Sequence, residues 1–194
     1  MVRSSLEKGS CALFLYRGMN MGSEHNHHTC CFIGHRKIQE TDRLKAVLYS
    51  TIKDLIVNNK VCNFLFGSRS EFDSLCLEIV SDLKREYPYI NRIYVRAEFP
   101  YIENDYKAYL RKSYEDTYYP DHIKNSGKAA YIERNFEMIR RSNYCIFYYN
   151  ETYTLKSYKN RKSGTKISYD YALKSGSNVI NTFIYSNKKD GIYT

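Results

Sequence analysis

Five short apolar runs recur along this chain, and the segments between them carry apolar residues at three- and four-residue spacing. The first, Thr29-Cys30-Cys31-Phe32-Ile33, leads into Gly34-His35-Arg36. Val61 to Phe66 ends at Gly67, and Ile90 to Phe99, with Arg92 to Ala97 at its centre, ends at Pro100. Tyr144 to Tyr149 and Val179 to Phe183 complete the set. A strand without polar alternation is one buried on both faces, as in a parallel sheet. Leu44, Val47, Leu48, Ile52, Leu55 and Ile56 place one apolar stripe on a helix from Asp42 to Asn58. Phe72, Leu75, Cys76, Ile79, Val80 and Leu83 do the same before Tyr87-Pro88 stops the next helix. Ala129 to Arg141, and the stretch from Ser163-Gly164-Thr165 to Lys174 closed by Gly176, read as two more. Strands alternating with helices predict parallel strands joined by right-handed crossovers.

Two segments depart from that rhythm. Residues 101–128 are polar and tyrosine-rich, with short helices expected around Tyr106 to Tyr114 and a loop from Pro120 to Gly127. So long a connection suggests a rim or lid over a site. Residues 1–28 hold the internal methionines Met19 and Met21 and end in Glu24-His25-Asn26-His27-His28; they read as a leader or flexible N-terminal tail. Those histidines lack a rigidly held carboxylate or cysteine, so no metal site is expected. Residues 29–194 are expected to form a single domain, and a chain of 194 residues can bury about 70% of its unfolded surface.

Composition narrows the partners. With 30 Lys and Arg against 21 Asp and Glu, the formal charge of +9 favours phosphate-bearing or polyanionic partners. The 6 cysteines show no CxxC spacing and fit a reducing, cytoplasmic setting, most of them as small buried hydrophobes. No apolar run approaches the roughly 20 residues of a membrane span, so no membrane association is expected. The oligomeric state is open, a homo-oligomer included.

Chemistry is expected where strands hand over to helices. The loops at Gly34-His35-Arg36, Gly67-Ser68 and Ser163-Gly164-Thr165 should lie on one edge of a parallel sheet. Backbone N–H groups at helix N-termini, with the positive end of the macrodipole behind them, make that edge suited to a phosphate or a nucleotide sugar. Helix capping accounts for Ser70, Asp73 and Thr165 without a ligand, and Ser70 with Asp73 has the spacing of a capping box. Beside Arg36, His35 should be a neutral donor; His122, in a polar loop, should be unconnected to chemistry.

Together these motifs resemble the YpsA-like branch of the SLOG superfamily. They are Gly34-His35-Arg36 after the first strand, G-x-x-x-x-F-D from Gly67 to Asp73, E-R-N-x-x-M-x-x-x-S from Glu133 to Ser142, and Ser163-Gly164-Thr165 followed by Tyr169-Asp170-Tyr171-Ala172. The similarity covers about residues 29–183. It implies an α/β, Rossmann-like doubly wound and mainly parallel sheet of about five strands with helices on both faces. It also implies a nucleotide-derived ligand above Gly34, Gly67 and Gly164. The superfamily includes LOG phosphoribohydrolases, DNA-binding DprA proteins and sensors of nucleotide-derived signals. LOG enzymes carry E-R-K-x-x-M, whose arginine serves the catalytic site; the matching Arg134, with Asn135 beside it, would contact an anion or ribose phosphate. The glutamate of the LOG motif P-G-G-x-G-T-x-x-E is here Ser168, which cannot supply the carboxylate that N-glycosidic cleavage requires. Asp170 lies roughly 200° further around a helix. Glu71 stands where the YpsA-like pattern tends to have glycine, and it could repel a phosphate or select a ribose hydroxyl or cationic ring.

Three functions are consistent with these residues. The first is a module that senses or sequesters a nucleotide or nucleotide-sugar ligand without efficient catalysis. The second is a nucleotide N-glycosidase using Glu98, Glu133 or Asp73 as an alternative carboxylate. The third is single-stranded nucleic-acid binding through the basic run from Lys156 to Lys166, interleaved with Tyr153, Tyr158 and Tyr169, on which bases could stack.

Overall fold

The computed structural model describes residues 28–39, 41–152 and 163–183. They form a parallel six-stranded sheet in the order β4-β3-β2-β1-β5-β6. The strands are β1 (Thr29–Gly34), β2 (Asn63–Phe66), β3 (Asn91–Val95), β4 (Asp116–Tyr118), β5 (Tyr144–Tyr148) and β6 (Asn178–Asn181). Between them run α1 (Asp42–Val57), α2 (Glu71–Glu86), α3 (Asn104–Arg111), α4 (Lys128–Arg140) and α5 (Gly164–Lys174). This is the expected Rossmann-like, doubly wound α/β architecture, with one strand more than the apolar runs predict.

β1 shows why the sheet is buried on both faces. Its side chains alternate, so Cys30 and Phe32 enter a core with the apolar faces of α1 and α2, while Cys31 and Ile33 meet Met138 and Ile139 of α4 and Ala172 of α5. From β1 the chain winds outward through β2, β3 and β4, then crosses back to β5 on the other side of β1. The order therefore reverses between β1 and β5, the position at which open sheets of this kind leave a crevice.

Local signals set the helix starts. Thr41, Ser70 and Ser163 each accept a hydrogen bond from the backbone N–H three residues on. The five described cysteines are buried and free.

Several expectations change. β4 arises inside the tyrosine-rich excursion, where no strand was expected, because backbone pairing of Asp116, Thr117 and Tyr118 with Ile93, Tyr94 and Val95 needs no apolar pattern on an edge. β3 stops at Val95 instead of running to Phe99; the chain then turns, and Phe99 adopts a left-handed φ of 58°. Among the described residues no helix is long and apolar enough to cross a membrane.

Candidate anion-binding site

The carboxyl ends of the strands gather the loops singled out above. Thr165 Oγ1 donates to the carbonyl of Gly34 at 3.1 Å, tying the start of α5 to the end of β1. The N–H of Glu71 donates to the carbonyl of Arg36 at 3.0 Å, tying the start of α2 to the same loop. Glu71 also turns its carboxylate back to accept from the N–H of Ile38 at 3.0 Å. That contact gives this departure from the YpsA-like pattern a local task, the holding of the loop after β1.

At the β1–β5 reversal the protein fills its own crevice. A Cβ on Gly34 would run into the Phe72 ring, so the missing side chain there admits a neighbouring aromatic of α2. His35 is buried, and its Nε2 accepts from the N–H of Asn150 at 3.0 Å. The same nitrogen lies 3.3 Å from the Asn150 carbonyl; burial lowers the ring's pKa from 6.5, and the Asn150 backbone contact works against that shift. The ring nitrogen of His35 is thus engaged with the backbone of Asn150, in the loop after β5. A cavity of about 240 Å³ opens nearby, lined by Lys37, Ile38, Gln39, Tyr148, Asn150 and Phe183. That is below the usual size of a small-molecule pocket. The side chain of Arg36 is exposed.

One strand over, the arrangement differs. Arg134 projects from α4 across the end of β2, where Gly67 makes room for it: a Cβ on Gly67 would lie 2.5 Å from the guanidinium carbon. Arg134 is only 3% exposed. Its Nη1 donates to the carbonyl of Val95 at 3.2 Å and its Nε to Asn135 Oδ1 at 3.0 Å, while the Tyr131 ring lies 5.8 Å from the guanidinium. No carboxylate among the described residues closes an ion pair with it. Burial lowers its pKa from the usual arginine value, opposed by the charge of Asp73 and by Tyr94, Tyr131 and Tyr118. A cation so enclosed is costly unless something negative joins it.

Asp73, the nearest acid in charge terms, is engaged elsewhere. Its carboxylate accepts from the N–H groups of Gly67 and Ser68 at 3.4 and 3.3 Å and from the Ser70 hydroxyl at 2.7 Å, and also from the Ser68 hydroxyl. Burial raises its pKa, with Ser68, Ser70 and then Arg134 working against that rise. The expected capping box is thus extended: Ser70 caps α2 while Asp73 reaches back to fix the β2 loop. Ser68 and Asp73 hold the loop beneath the arginine.

The remaining candidates separate. Asn135 Nδ2 donates to Ser168 Oγ at 3.0 Å, and Ser168 donates to the carbonyl of Gly164 at 2.9 Å, so the position of the LOG glutamate carries a short hydroxyl bridge. Ser163 caps α5; Gly164 is exposed. Asp170 pairs with Lys166 at 3.1 Å, away from Ser168 as its helical position predicts. Glu98, exposed beyond β3, accepts from the Tyr131 hydroxyl. Glu133 faces the other way, accepting from the N–H groups of Lys124 and Asn125 at 3.0 and 3.1 Å. Its carboxylate anchors the excursion to α4. His122 meets Glu137 at 3.2 Å on the same side. Of the basic, tyrosine-interleaved run, residues 153–162 lie outside the described residues. Tyr169, partly buried, packs its ring on Tyr149 and Phe147, at 4.7 and 5.2 Å between centroids.

Sequence reasoning missed Arg69, Arg96 and the tyrosines around them. The available signal for Arg69 was its place one residue beyond Ser68; Arg96 lay inside the run read as the third strand, and only the end of β3 at Val95 brings it to the edge. Comparison with known proteins finds no matching family model and no matching curated relative.

Proposed function

We propose that this chain binds a nucleotide or nucleotide-sugar-derived anion at the carboxyl edge of its sheet and acts as a sensor or sequestering module of the SLOG type. One observation carries the reading: Arg134 is buried across Gly67 with no carboxylate paired to it among the described residues. A phosphate would supply the missing charge through charge-assisted hydrogen bonds. Binding without efficient cleavage is favoured because Ser168 stands at the position of the LOG glutamate and is spent on Gly164 and Asn135. Titration of the full chain with AMP, followed by calorimetry, tests the reading. Binding by the wild type that falls at least about tenfold in Arg134→Gln supports it. Equal affinity in both proteins removes it. Release of free base from AMP at substantial turnover would instead favour the N-glycosidase alternative.

A further inference from the structure

Two more arginines stand at the ends of β2 and β3, and like Arg134 they meet no carboxylate among the described residues. Arg69 donates from Nη2 to the Tyr106 hydroxyl at 3.4 Å. Arg96 donates from Nη1 to the carbonyls of Phe99 and Pro100, while its Nε is buried without a hydrogen-bond partner. The Tyr119 ring lies 6.0 Å from the Arg96 guanidinium.

Several arginines elsewhere in the chain pair with acids, although the exposed Arg36 and Arg111 do not among the described residues. At the amino end of β3, Arg92 meets Glu115 at 2.7 Å; on α4, Arg140 and Arg141 share Glu137 at 3.0 and 2.5 Å. Acids are within reach in sequence at the carboxyl edge too, but Glu98 is taken by Tyr131 and Asp73 by its own loop. Arginines steadied by hydroxyls and carbonyls keep their full charge and their remaining donors. The left-handed turn at Phe99 is part of that support, since it presents the carbonyl that Arg96 grips. The positions are adjacent: Arg134 holds the carbonyl of Val95, and Arg96 is the next residue along the same strand end. Exposed aromatic residues stand close to each arginine. The Tyr131 ring lies beside Arg134, Arg96 holds the backbone carbonyl of the exposed Phe99, and Tyr109 stacks on the Tyr106 that holds Arg69, 6.1 Å between centroids.

We propose that Arg69 and Arg96 form a second phosphate subsite next to Arg134, so that the ligand is a nucleoside diphosphate with its base against the exposed rings. This rests on the nucleotide-binding reading above. The cluster is confined to the adjacent ends of β2 and β3, which suits a compact diphosphate better than a polymer that follows a track of cations.

Calorimetry on the full chain at fixed salt, with AMP, ADP and inorganic pyrophosphate as probes, tests it. The wild type is expected to bind ADP at least about tenfold tighter than AMP, and pyrophosphate at least about tenfold weaker than ADP. Arg69→Gln changes an exposed side chain and should shrink the ADP-to-AMP ratio to below about threefold while leaving AMP affinity unchanged; Arg96→Gln should do the same. A wild-type ratio near one, or a ratio that survives in Arg69→Gln, overturns the second subsite. Pyrophosphate binding as tightly as ADP overturns the nucleoside assignment. A single-stranded oligonucleotide that displaces ADP, with an affinity falling steeply as salt rises, assigns the cluster to a polymer instead. If the wild type binds AMP through Arg134 yet shows no preference for ADP, only this inference fails; if it binds neither nucleotide, the nucleotide-binding reading fails with it.

Discussion

Where β1 and β5 end, the chain answers its own polar groups: Thr165 donates to Gly34, Asn150 donates to His35, and Phe72 takes the space that Gly34 leaves. Where β2 and β3 end, Arg134 lies in the equivalent space left by Gly67, but its charge meets no paired carboxylate. Both glycines admit a neighbour, one an apolar ring and the other a cation. The general rule for open sheets puts ligands at the reversal of strand order. Here packing narrows the reversal to a small cavity beside Tyr148 and Asn150, and the buried cation lies one strand away.

Substituting the two glycines separates the regions most sharply. Gly34→Ala drives a methyl into a fully buried ring with no freedom to move, and should lower stability in urea denaturation by about 2–3 kcal/mol. Gly67→Ala pushes on the end of a flexible arginine. It should cost less, about 1 kcal/mol, yet weaken AMP binding as Arg134 is displaced. Equal stability losses with unchanged binding would erase the distinction.

His35 gives the packed region a pH signature. Its pKa is lowered from 6.5 by burial, so the unfolded chain takes up the proton first. Stability should be complete above that value and decline as pH falls from it toward the folded pKa, with a slope of at most about 1.4 kcal/mol per pH unit. Urea midpoints of wild type and His35→Gln across that range should differ in slope; parallel curves would mean that the ring is protonated in the folded protein. Thr165→Val should have the smallest effect, about 1 kcal/mol by the same measurement, for one hydrogen bond lost to the Gly34 carbonyl. A loss within about 0.3 kcal/mol of zero would show that water replaces the hydroxyl and the packing there is loose.

The sheet and most of its helices were legible because burial on both faces removes polar alternation from β1, β2 and β5, and because Thr41, Ser70 and Ser163 mark helix starts by local chemistry. β4 was not, since an edge strand of three residues is specified by its partner and not by its own pattern. The site was legible only in outline. Gly34, Gly67 and Arg134 stood out, but what each glycine accommodates depends on residues far along the chain: Arg134 reaches Gly67 from α4, and His35 meets Asn150 across 115 positions. Arg96 stood inside the run read as the third strand and Arg69 beside a marked loop, and the absence of paired acids around them shows only in three dimensions.

The most direct measurement is the urea stability of Arg134→Met without ligand. An arginine held in a completed ion pair would cost about 3–5 kcal/mol to remove, because its partner would be left buried and alone. For an arginine whose charge awaits an anion, the apolar replacement of similar length should be neutral or up to about 2 kcal/mol more stable than wild type. A gain or no change is the predicted result, and a loss of about 3 kcal/mol or more would contradict the view that this edge of the sheet is built around a positive charge that no carboxylate pairs directly.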